Sequence, residues 1–237
     1  MPTARALQTT KDHPSPAQLR ALLELMLASE LARNHLVRLH HAPETLTRSP
    51  AKLEILVNSL VVFIERGITD VTVQDILDAS SVSRRTFYKY FRNKIDVLES
   101  LYKLAVDVMV LRYKAEIGQA GSVPELARRF VEVFFGYHRD LAPVIRMMQE
   151  EAMRLDSPLA PHRDEAISFV AGMLNDELAR ICSKRIDPLL IRALMWSMES
   201  VSIDFLRHGT PTVEDIAHGQ KVMTEIVDAS FGRAVAR

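Results

Sequence analysis

Apolar residues recur along most of this chain every three or four positions, the spacing that places them on one side of an α-helix. The strict alternation of apolar and polar residues that marks a β-strand is essentially absent. Glycine, proline and serine interrupt the pattern, and each interruption predicts the end of one helix and the start of the next. The predicted helices are residues 16–40, 52–67, 73–79, 83–91, 94–118, 123–141, 143–155, 160–183, 188–208 and 213–234. The pattern therefore predicts an all-α protein.

Residues 1–48 form an N-terminal extension ahead of the strongest functional signal. Residues 1–16 are polar and rich in proline, which predicts a disordered tail. Residues 16–40 then carry an apolar stripe at helical spacing, formed by Leu19, Leu22, Leu23, Met26, Leu27 and Leu31. A stripe this apolar predicts an amphipathic helix that packs on its own domain or on a partner subunit. Binding to a membrane surface is the alternative, but the only cations of this helix are Arg20, Arg33 and Arg38.

Residues 71–94 read VTVQDILDASSVSRRTFYKYFRNK and have the layout of a helix-turn-helix. A short helix leads into a tight turn at residues 80–82, and a second short helix starts at Ser83. That second helix is crowded with cations, hydroxyls and phenols, namely Arg84, Arg85, Thr86, Tyr88, Lys89 and Tyr90. Such a helix is a poor core element but suits the major groove of DNA. Phe87 and Phe91 are four residues apart, so they share the face that packs inward.

The chemistry of this second helix favours contact with nucleic acid. Ser83 is placed as an N-cap whose hydroxyl accepts from an unpaired backbone N–H. Arg84 and Arg85 can fork onto guanine or clamp a phosphate, and the neighbouring hydroxyls and Lys89 can donate to phosphates. Residues 81–94 contain five cations and no carboxylate, so the remainder of this neutral chain carries five net negative charges. A basic helix that is merely solvated is the alternative, and the coincidence of turn, cap and aromatic residues argues against it.

These residues resemble the tetracycline-repressor (TetR) family of bacterial regulators over about residues 50–101. Residues 52–67 (KLEILVNSLVVFIERG) look like the family's first helix with its terminal glycine. Residues 83–91 (SRRTFYKYF) look like its recognition helix, and residues 93–101 like the start of its long linking helix. The turn departs from the family at Ser81, where glycine is common and where serine carries a steric cost. The long N-terminal extension is a second departure.

The resemblance implies two domains, which follow the N-terminal extension. An extension at residues 1–48 precedes a helix-turn-helix DNA-binding domain of three helices at residues 49–97. A larger helical domain at residues 98–237 then binds an effector and forms the dimer. Together with the chemistry of the motif, the resemblance gives the expected DNA contacts. They are Thr72, Ser83, Arg84, Arg85, Thr86, Tyr88, Lys89, Tyr90 and Lys94.

The helices after residue 98 are rich in methionine and aromatic residues, which suit the lining of a cavity for an apolar ligand. The candidate ligand contacts are Phe134, Tyr137, Met147, Met148, Phe169, Met173 and Trp196. Candidate polar contacts beside them are His138, Arg146 and Gln149. Packing in an ordinary core is the alternative for each residue taken singly. The family's members commonly bind an effector in this domain, so the resemblance favours a cavity.

The last two predicted helices carry long apolar stripes, which a two-fold four-helix bundle requires. The candidate dimer contacts are Leu190, Ala193, Val201, Phe205, Met223, Ile226, Val227 and Phe231. Packing within one chain is the alternative. A dimer must hold two recognition helices about 34–36 Å apart, or a multiple, to enter successive major grooves. A palindromic operator is the expectation that follows.

Composition and missing motifs limit the other classes of function. The one cysteine, Cys182, excludes an intrachain disulfide and fits a reducing cytoplasm. No apolar run is long enough to cross a membrane, and the first residues lack the order of a signal peptide. No phosphate loop, zinc-type spacing or nucleophile elbow is present, and the His40–His41 pair diverges on a helix, so no cofactor or metal is expected.

The sequence therefore predicts a cytoplasmic homodimeric regulator that binds a double-stranded DNA operator and responds to a small apolar or amphipathic effector. A repressor released from DNA by that effector is favoured over an activator. An architectural protein that coats DNA without an effector is the main alternative. An enzyme is not expected, because the acidic pairs Glu150–Glu151 and Asp164–Glu165 are adjacent in sequence and diverge on a helix.

Overall fold

The computed structural model describes residues 49–207 and 211–236. Within these ranges every regular element is a helix, so the prediction of an all-α fold is confirmed. The predicted amphipathic helix at residues 16–40 lies outside the described residues. The helices are α1 (Pro50–Arg66), α2 (Val73–Ser80), α3 (Arg84–Tyr90), α4 (Lys94–Ile117), α5 (Val123–Asp140), α6 (Ala142–Ala152), α7 (Ala160–Cys182), α8 (Pro188–Arg207) and α9 (Val213–Ala236).

Side-chain caps fix where several helices begin, because they bond backbone N–H groups that the first turn leaves without partners. Asn93 accepts from the N–H groups of Ile95 and Asp96 at 2.8 and 3.0 Å and starts α4. Thr212 accepts from the N–H of Asp215 at 3.1 Å, and the Asp215 carboxylate accepts from the Thr212 N–H at 2.9 Å. These two hydrogen bonds form a reciprocal capping box at the start of α9.

Two residues with positive φ turn the chain inside the three-helix unit, α1 to α3. Gly67 ends α1 with φ 80° and ψ 152°, a positive φ that glycine adopts without steric cost. Ser81 ends α2 in the left-handed region, at φ 53° and ψ 27°. The turn thus requires the conformation that glycine adopts most easily, and serine adopts it at a steric cost.

The three-helix unit encloses one apolar core that continues into α4. Phe87 of α3 is fully buried, and its ring centroid lies 5.9 Å from that of Phe91. Phe63 of α1 and Ile76 of α2 are also fully buried in this core. The same buried cluster continues into α5, α6 and the end of α8 through residues such as Tyr137, Leu141, Ile145, Met148 and Leu206. The predicted domain boundary near residue 97 is therefore crossed by packed side chains.

Helix α5 is the centre of the larger helical part. It contacts α4 on one side and α9 along its length on another. Met223, Val227 and Phe231 of α9 are buried in the same cluster as Phe134 and Phe135 of α5. These three were predicted as dimer contacts, and that prediction is wrong: they pack inside the chain because α5 covers the apolar face of α9.

At Gly219, helix α9 packs closely against α5 and α8. A Cβ atom built there would lie 2.7 Å from Phe205 Cε2 and 3.0 Å from Phe135 Cε1. Phe135 is fully buried, so its ring has little space to retreat. The helices can therefore pack this closely only where α9 lacks a side chain.

Replacing Ser81 by glycine should stabilise the protein. Glycine removes the steric cost of the left-handed conformation and loses more backbone entropy on folding, so we expect a net gain of about 0.5–1 kcal/mol. Urea unfolding followed by circular dichroism measures it. Ser81→Ala is the matched control, since it also removes the hydroxyl but keeps Cβ; a gain for alanine equal to that for glycine would contradict the steric explanation.

Gly219→Ala should destabilise the protein, although alanine is the better helix former. Overpacking against two phenylalanine rings costs about 1–3 kcal/mol, which exceeds the gain of about 1 kcal/mol in helix propensity. Gly172, in the middle of α7, has nothing within 4 Å of an added Cβ and supplies the control. Gly172→Ala should raise the melting temperature and Gly219→Ala should lower it; the same sign for both would refute the close-packing argument.

Candidate nucleic-acid interface and effector pocket

Burial of one face of α3 decides which side chains point outward. With Phe87 and Phe91 in the core, Arg84, Arg85, Tyr88 and Lys89 are exposed. The Tyr88 ring stands edge-on to Phe87, with the centroids 5.4 Å apart, and half of its surface remains accessible. The structure thus places four of the predicted contacts on one solvent-facing side of a short helix.

The start of α3 is built as the sequence predicts. The Ser83 hydroxyl accepts from the backbone N–H of Thr86 at 3.1 Å, which confirms Ser83 as the N-cap. The Ser83 and Thr86 hydroxyl oxygens are also 2.8 Å apart and share a hydrogen bond. Because the cap leaves Ser83 exposed, both hydroxyls border the outward face of α3.

The two arginines of α3 differ in their surroundings. Arg84 donates to the side-chain oxygen of Gln74 on α2 at 2.6 Å, and Gln74 donates to Asp78 at 2.7 Å. Arg84 is therefore held across the turn. No hydrogen bond or ion pair from any described residue holds the exposed guanidinium of Arg85. Arg85 is thus the arginine whose donors are available to a partner.

Three of the predicted DNA contacts, Lys94, Tyr90 and Thr72, form hydrogen bonds within the chain instead. The Lys94 ammonium donates to the carbonyl oxygens of Ile68, Thr69 and Val71 at 2.9, 2.8 and 2.6 Å, which uses all three of its donors. Lys94 therefore fastens the loop between α1 and α2, and the structure does not support its prediction as a phosphate contact.

Tyr90 and Thr72 are also occupied. The half-buried Tyr90 packs against the core of the three-helix unit, and its hydroxyl accepts from Ser49 at 2.6 Å. The sequence predicted Tyr90 as a surface residue, but Tyr90 follows Phe87 by three residues and therefore lies at the edge of the inward face, beside Ser49. Thr72 caps α2 by accepting from the N–H of Asp75 at 3.2 Å, and its own hydroxyl donates to the Asp75 carboxylate at 2.6 Å.

Ion pairs neutralise two arginines at the edges of the motif, so its exposed unpaired positive charge lies on α3. Arg92 pairs with Asp96, and the hydrogen bonds from Arg92 lower the pKa of Asp96 to about 2. Arg66 pairs with Asp75, whose pKa is lowered first by its hydrogen bonds to Thr72. Among the described residues of the motif, the cations of α3, namely Arg84, Arg85 and Lys89, form no ion pair with a carboxylate.

A pocket opens between α4, α5, α6, α7 and α8, with an empty volume of about 560 Å³ that includes its mouth. Phe134, Tyr137 and Met148, three of the predicted ligand contacts, line it together with His138 and Gln149. The remaining candidates do not line the pocket. They are Arg146, Met147, Phe169, Met173 and Trp196.

The polar side chains of the pocket are paired or neutral. The Tyr137 hydroxyl donates to the Ala105 carbonyl at 2.6 Å. Burial lowers the pKa of His138 to about 3, so its ring is neutral, and its Nδ1 lies 2.6 Å from the Ser202 hydroxyl. Arg163 forms a two-point ion pair with the buried Glu199. Its second contact joins Arg163 Nε to Glu199 Oε1 at 3.2 Å.

The sequence reasoning missed Tyr102, Arg163 and Glu199 in this pocket. For Glu199 a signal was present, because the residue lies on the otherwise apolar face of α8 that contains Met195, Met198 and Leu206. A carboxylate at such a position must be paired or neutral. Arg163 lies on another helix, and no local spacing links the two residues.

The outer sides of α8 and α9 expose apolar side chains. Ala193 and Ile226 are exposed, and Leu190, Val201 and Phe205 are half-buried, so these five predicted dimer contacts remain accessible to different degrees. Other exposed apolar residues accompany them at helical spacing. These are Leu189 and Trp196 on α8 and Val222 on α9. We call Leu189, Ala193, Trp196, Val222 and Ile226 the outer face.

Neither a metal site nor a membrane span is found in the described part of the chain. No group of three or more histidine, cysteine, aspartate or glutamate side chains there is arranged to hold a metal ion. None of the helices in residues 49–207 and 211–236 is both long and apolar enough to cross a bilayer. Cys182 is half-buried, and its Sγ contacts the Leu178 carbonyl at 3.2 Å.

A capped turn, a buried aromatic pair and an outward basic face define α2 and α3 as a helix-turn-helix unit. The family model described as bacterial regulatory proteins, tetR family, matches residues 55–101. This match covers most of the three-helix unit and the start of α4, the same part of the chain in which the motif resembles that family. The transcriptional repressor KstR2 of Mycobacterium tuberculosis is 29% identical over 105 residues, 44% of this chain and 52% of that protein. The chain thus spans about half the length of the curated relatives it matches.

Solved structures share the fold over most of the chain. The fatty acid degradation regulator FadR from Bacillus halodurans superposes with a TM-score of 0.63 at 21% identity, covering 76% of this chain and 95% of that one. FadR from Bacillus subtilis, solved in complex with stearoyl-CoA, superposes with a TM-score of 0.64 at 17% identity, covering 75% and 98%. At these identities the similarity concerns the fold.

Lys94→Met should lower the stability of the protein, because it removes an ammonium from three loop carbonyls while keeping most of the apolar stem. Charged hydrogen bonds at a partly exposed position suggest a loss of about 1–2 kcal/mol in urea unfolding. Lys89→Met is the matched control on the exposed side of α3 and should change stability by less than about 0.5 kcal/mol. Unaltered stability of Lys94→Met, with a shallower salt dependence of DNA binding, would return Lys94 to the phosphate contacts.

Proposed function

We propose that this protein is a sequence-specific, double-stranded DNA-binding transcriptional regulator that acts as a homodimeric repressor and responds to a small effector. The observation that carries the proposal is the outward face of α3, where Arg84, Arg85 and Lys89 stand on a capped helix of a tetR-family unit. Relatives matching about half of their length are named as repressors, which supports repression over activation.

Within this proposal the side chains of α3 divide into two roles. Arg85 is exposed and held by no other described side chain, so its fork of donors can reach the two acceptors of guanine in the major groove. Lys89, Tyr88, Ser83 and Thr86 donate to phosphates and fix the register of the helix on the duplex. Lys94 and Tyr90 act indirectly, because they hold the loop and the start of α1 that support the helix.

The outer face supports dimerisation. Exposed apolar residues at helical spacing on two long adjacent helices are costly in water and are removed from it when a second copy packs against them. Trp196 and Ile226 are the largest such residues of α8 and α9, with 37% and 44% of their surface accessible. The second copy supplies the second α3, and two half-sites then give the palindromic operator.

The effector pocket is linked to the three-helix unit by two routes. Tyr102, Ala105, Val106 and Met109 of α4 line the pocket, and α4 packs on α1. Met148 and its neighbours on α6 also line it, and α6 contacts α1 directly. An effector that prefers one arrangement of α4 and α6 therefore shifts the position of the three-helix unit. In a dimer this shift changes the spacing of the two α3 helices and releases the DNA.

The experiment begins by selecting the preferred duplex from a random pool with the purified protein. On the selected operator, Arg85→Ala should cost about 1–3 kcal/mol and relax the preference at one base step of each half-site. Lys89→Ala should weaken all duplexes alike and reduce the slope of log affinity against log salt concentration by about one unit per contact. Binding titrations over a range of salt concentrations measure both.

Two results would refute the proposal. If Arg85→Ala weakened binding equally on operator and unrelated DNA, its role in reading bases would be rejected. If the unmodified protein showed no preference among duplexes, an architectural DNA-coating protein would be the better assignment.

A further inference from the structure

The pocket contains a buried acceptor without a donor. Gln149 of α6 lines the pocket, only 7% of its surface is accessible, and its Oε1 has no hydrogen-bond partner. Buried polar atoms are nearly always paired in folded proteins, so such an atom facing a cavity indicates a group that is supplied from outside.

The neighbouring Glu199 fixes which end of the amide faces the cavity. The Gln149 side chain lies near the Glu199 carboxylate and, after Arg163, opposes the rise that burial causes in the pKa of Glu199. Because a carboxylate only accepts, Gln149 must turn its NH₂ group toward Glu199, and its Oε1 remains as the acceptor. A ligand that meets Gln149 must therefore bring an O–H or an N–H.

The charges around the pocket indicate that this donor is uncharged. Glu199 accepts two hydrogen bonds from Arg163, so the ion pair leaves neither a free carboxylate nor a free cation for a ligand. His138 is neutral, since burial lowers its pKa to about 3. A ligand carboxylate or ammonium would lose its hydration here and gain no counter-charge.

The rest of the lining is apolar or aromatic and suits a hydrocarbon body. These residues are Ala105, Val106, Met109, Phe134, Ile145, Met148, Ala166, Ile167 and Met195. Tyr102 adds a phenol near the ion pair, and burial raises its pKa, so it stays protonated and can donate to an oxygen. A hydroxyl group both donates and accepts, and it therefore matches this end of the pocket.

We infer that the effector is an uncharged, largely apolar molecule with a hydroxyl or N–H group, and that Gln149 Oε1 accepts a hydrogen bond from that group. The inference rests on the proposed function, because it assumes that this pocket is the effector site. It predicts which effectors the pocket prefers: among molecules of equal size, an uncharged molecule with a hydrogen-bond donor binds most tightly.

Three probes test the rule on the unmodified protein. 1-Octanol and 1-methoxyheptane are isomers that differ in having or lacking a donor, and octanoate carries a charge instead. We expect 1-octanol to bind about tenfold more tightly than the ether, the effect of one net hydrogen bond. Octanoate should bind more weakly than 1-octanol. Displacement of a fluorescent apolar dye gives the three dissociation constants. Equal affinity for the two isomers, or tighter binding of octanoate, would overturn the inference.

Two variants test whether Gln149 causes the preference for 1-octanol. Gln149→Leu removes the acceptor at similar volume, so it should abolish the preference for 1-octanol while the ether binds at least as well as before. Gln119→Leu, an exposed glutamine outside the pocket, should leave all three constants unchanged. If Gln149→Leu does not fold, Gln149→Met serves the same purpose. A preference for 1-octanol that survives loss of the acceptor would also overturn the inference.

The same titrations separate this inference from the proposed function. If none of the three probes binds, and none weakens the complex with the selected operator, the assignment of the pocket as effector site fails and the inference falls with it. If both isomers bind equally, the pocket stands and only the role of Gln149 is rejected.

Discussion

The anchoring of α3 by Phe87 and Phe91 is the interaction on which the rest of the structure depends. A seven-residue helix does not persist alone in water, because too few backbone bonds offset the cost of its nucleus. Burial of its aromatic face and the Ser83 cap supply the stability that so short a helix lacks. Burial of the two phenylalanines also decides which side chains of α3 face outward. The stability of the helix and the position of its basic side chains therefore depend on the same contacts. A change that loosened the aromatic pair would alter both together.

The apolar core that anchors α3 continues without a break to the lining of the pocket. The buried cluster of the three-helix unit includes Ile145 and Met148, and Met148 also lines the cavity. Close-packed interiors transmit displacement, because side chains cannot shift without moving their neighbours. A ligand beside α6 therefore acts on α1 through a few layers of packed side chains. The proposed response to an effector needs no long path through the molecule.

Local chemistry explains what the sequence could predict. The predicted and observed helix limits differ by only a few residues, because caps such as Thr212 and breaks such as Gly67 act within one turn. The sequence could not predict which helices pack against each other or which distant residues form hydrogen bonds. An apolar stripe shows that a face is covered but not by what, so Met223 and Phe231 pack on α5 although a partner subunit was expected. Lys94 has acceptors more than 20 residues away, which no local spacing reveals.

The distribution of charge separates the two sites of this neutral chain. In the pocket the structure pairs Arg163 with Glu199 inside the protein, where an unpaired charge would be costly. On α3 the opposite arrangement holds, because two neighbouring carboxylates are already engaged by other cations: Asp75 by Arg66 and Asp96 by Arg92. Arg85 is exposed and held by no side chain in the described part of the chain, so its donors can turn to phosphate or base acceptors at small cost. Placing the carboxylates at the edges of the motif thus leaves a positively charged surface on a chain whose net charge is zero.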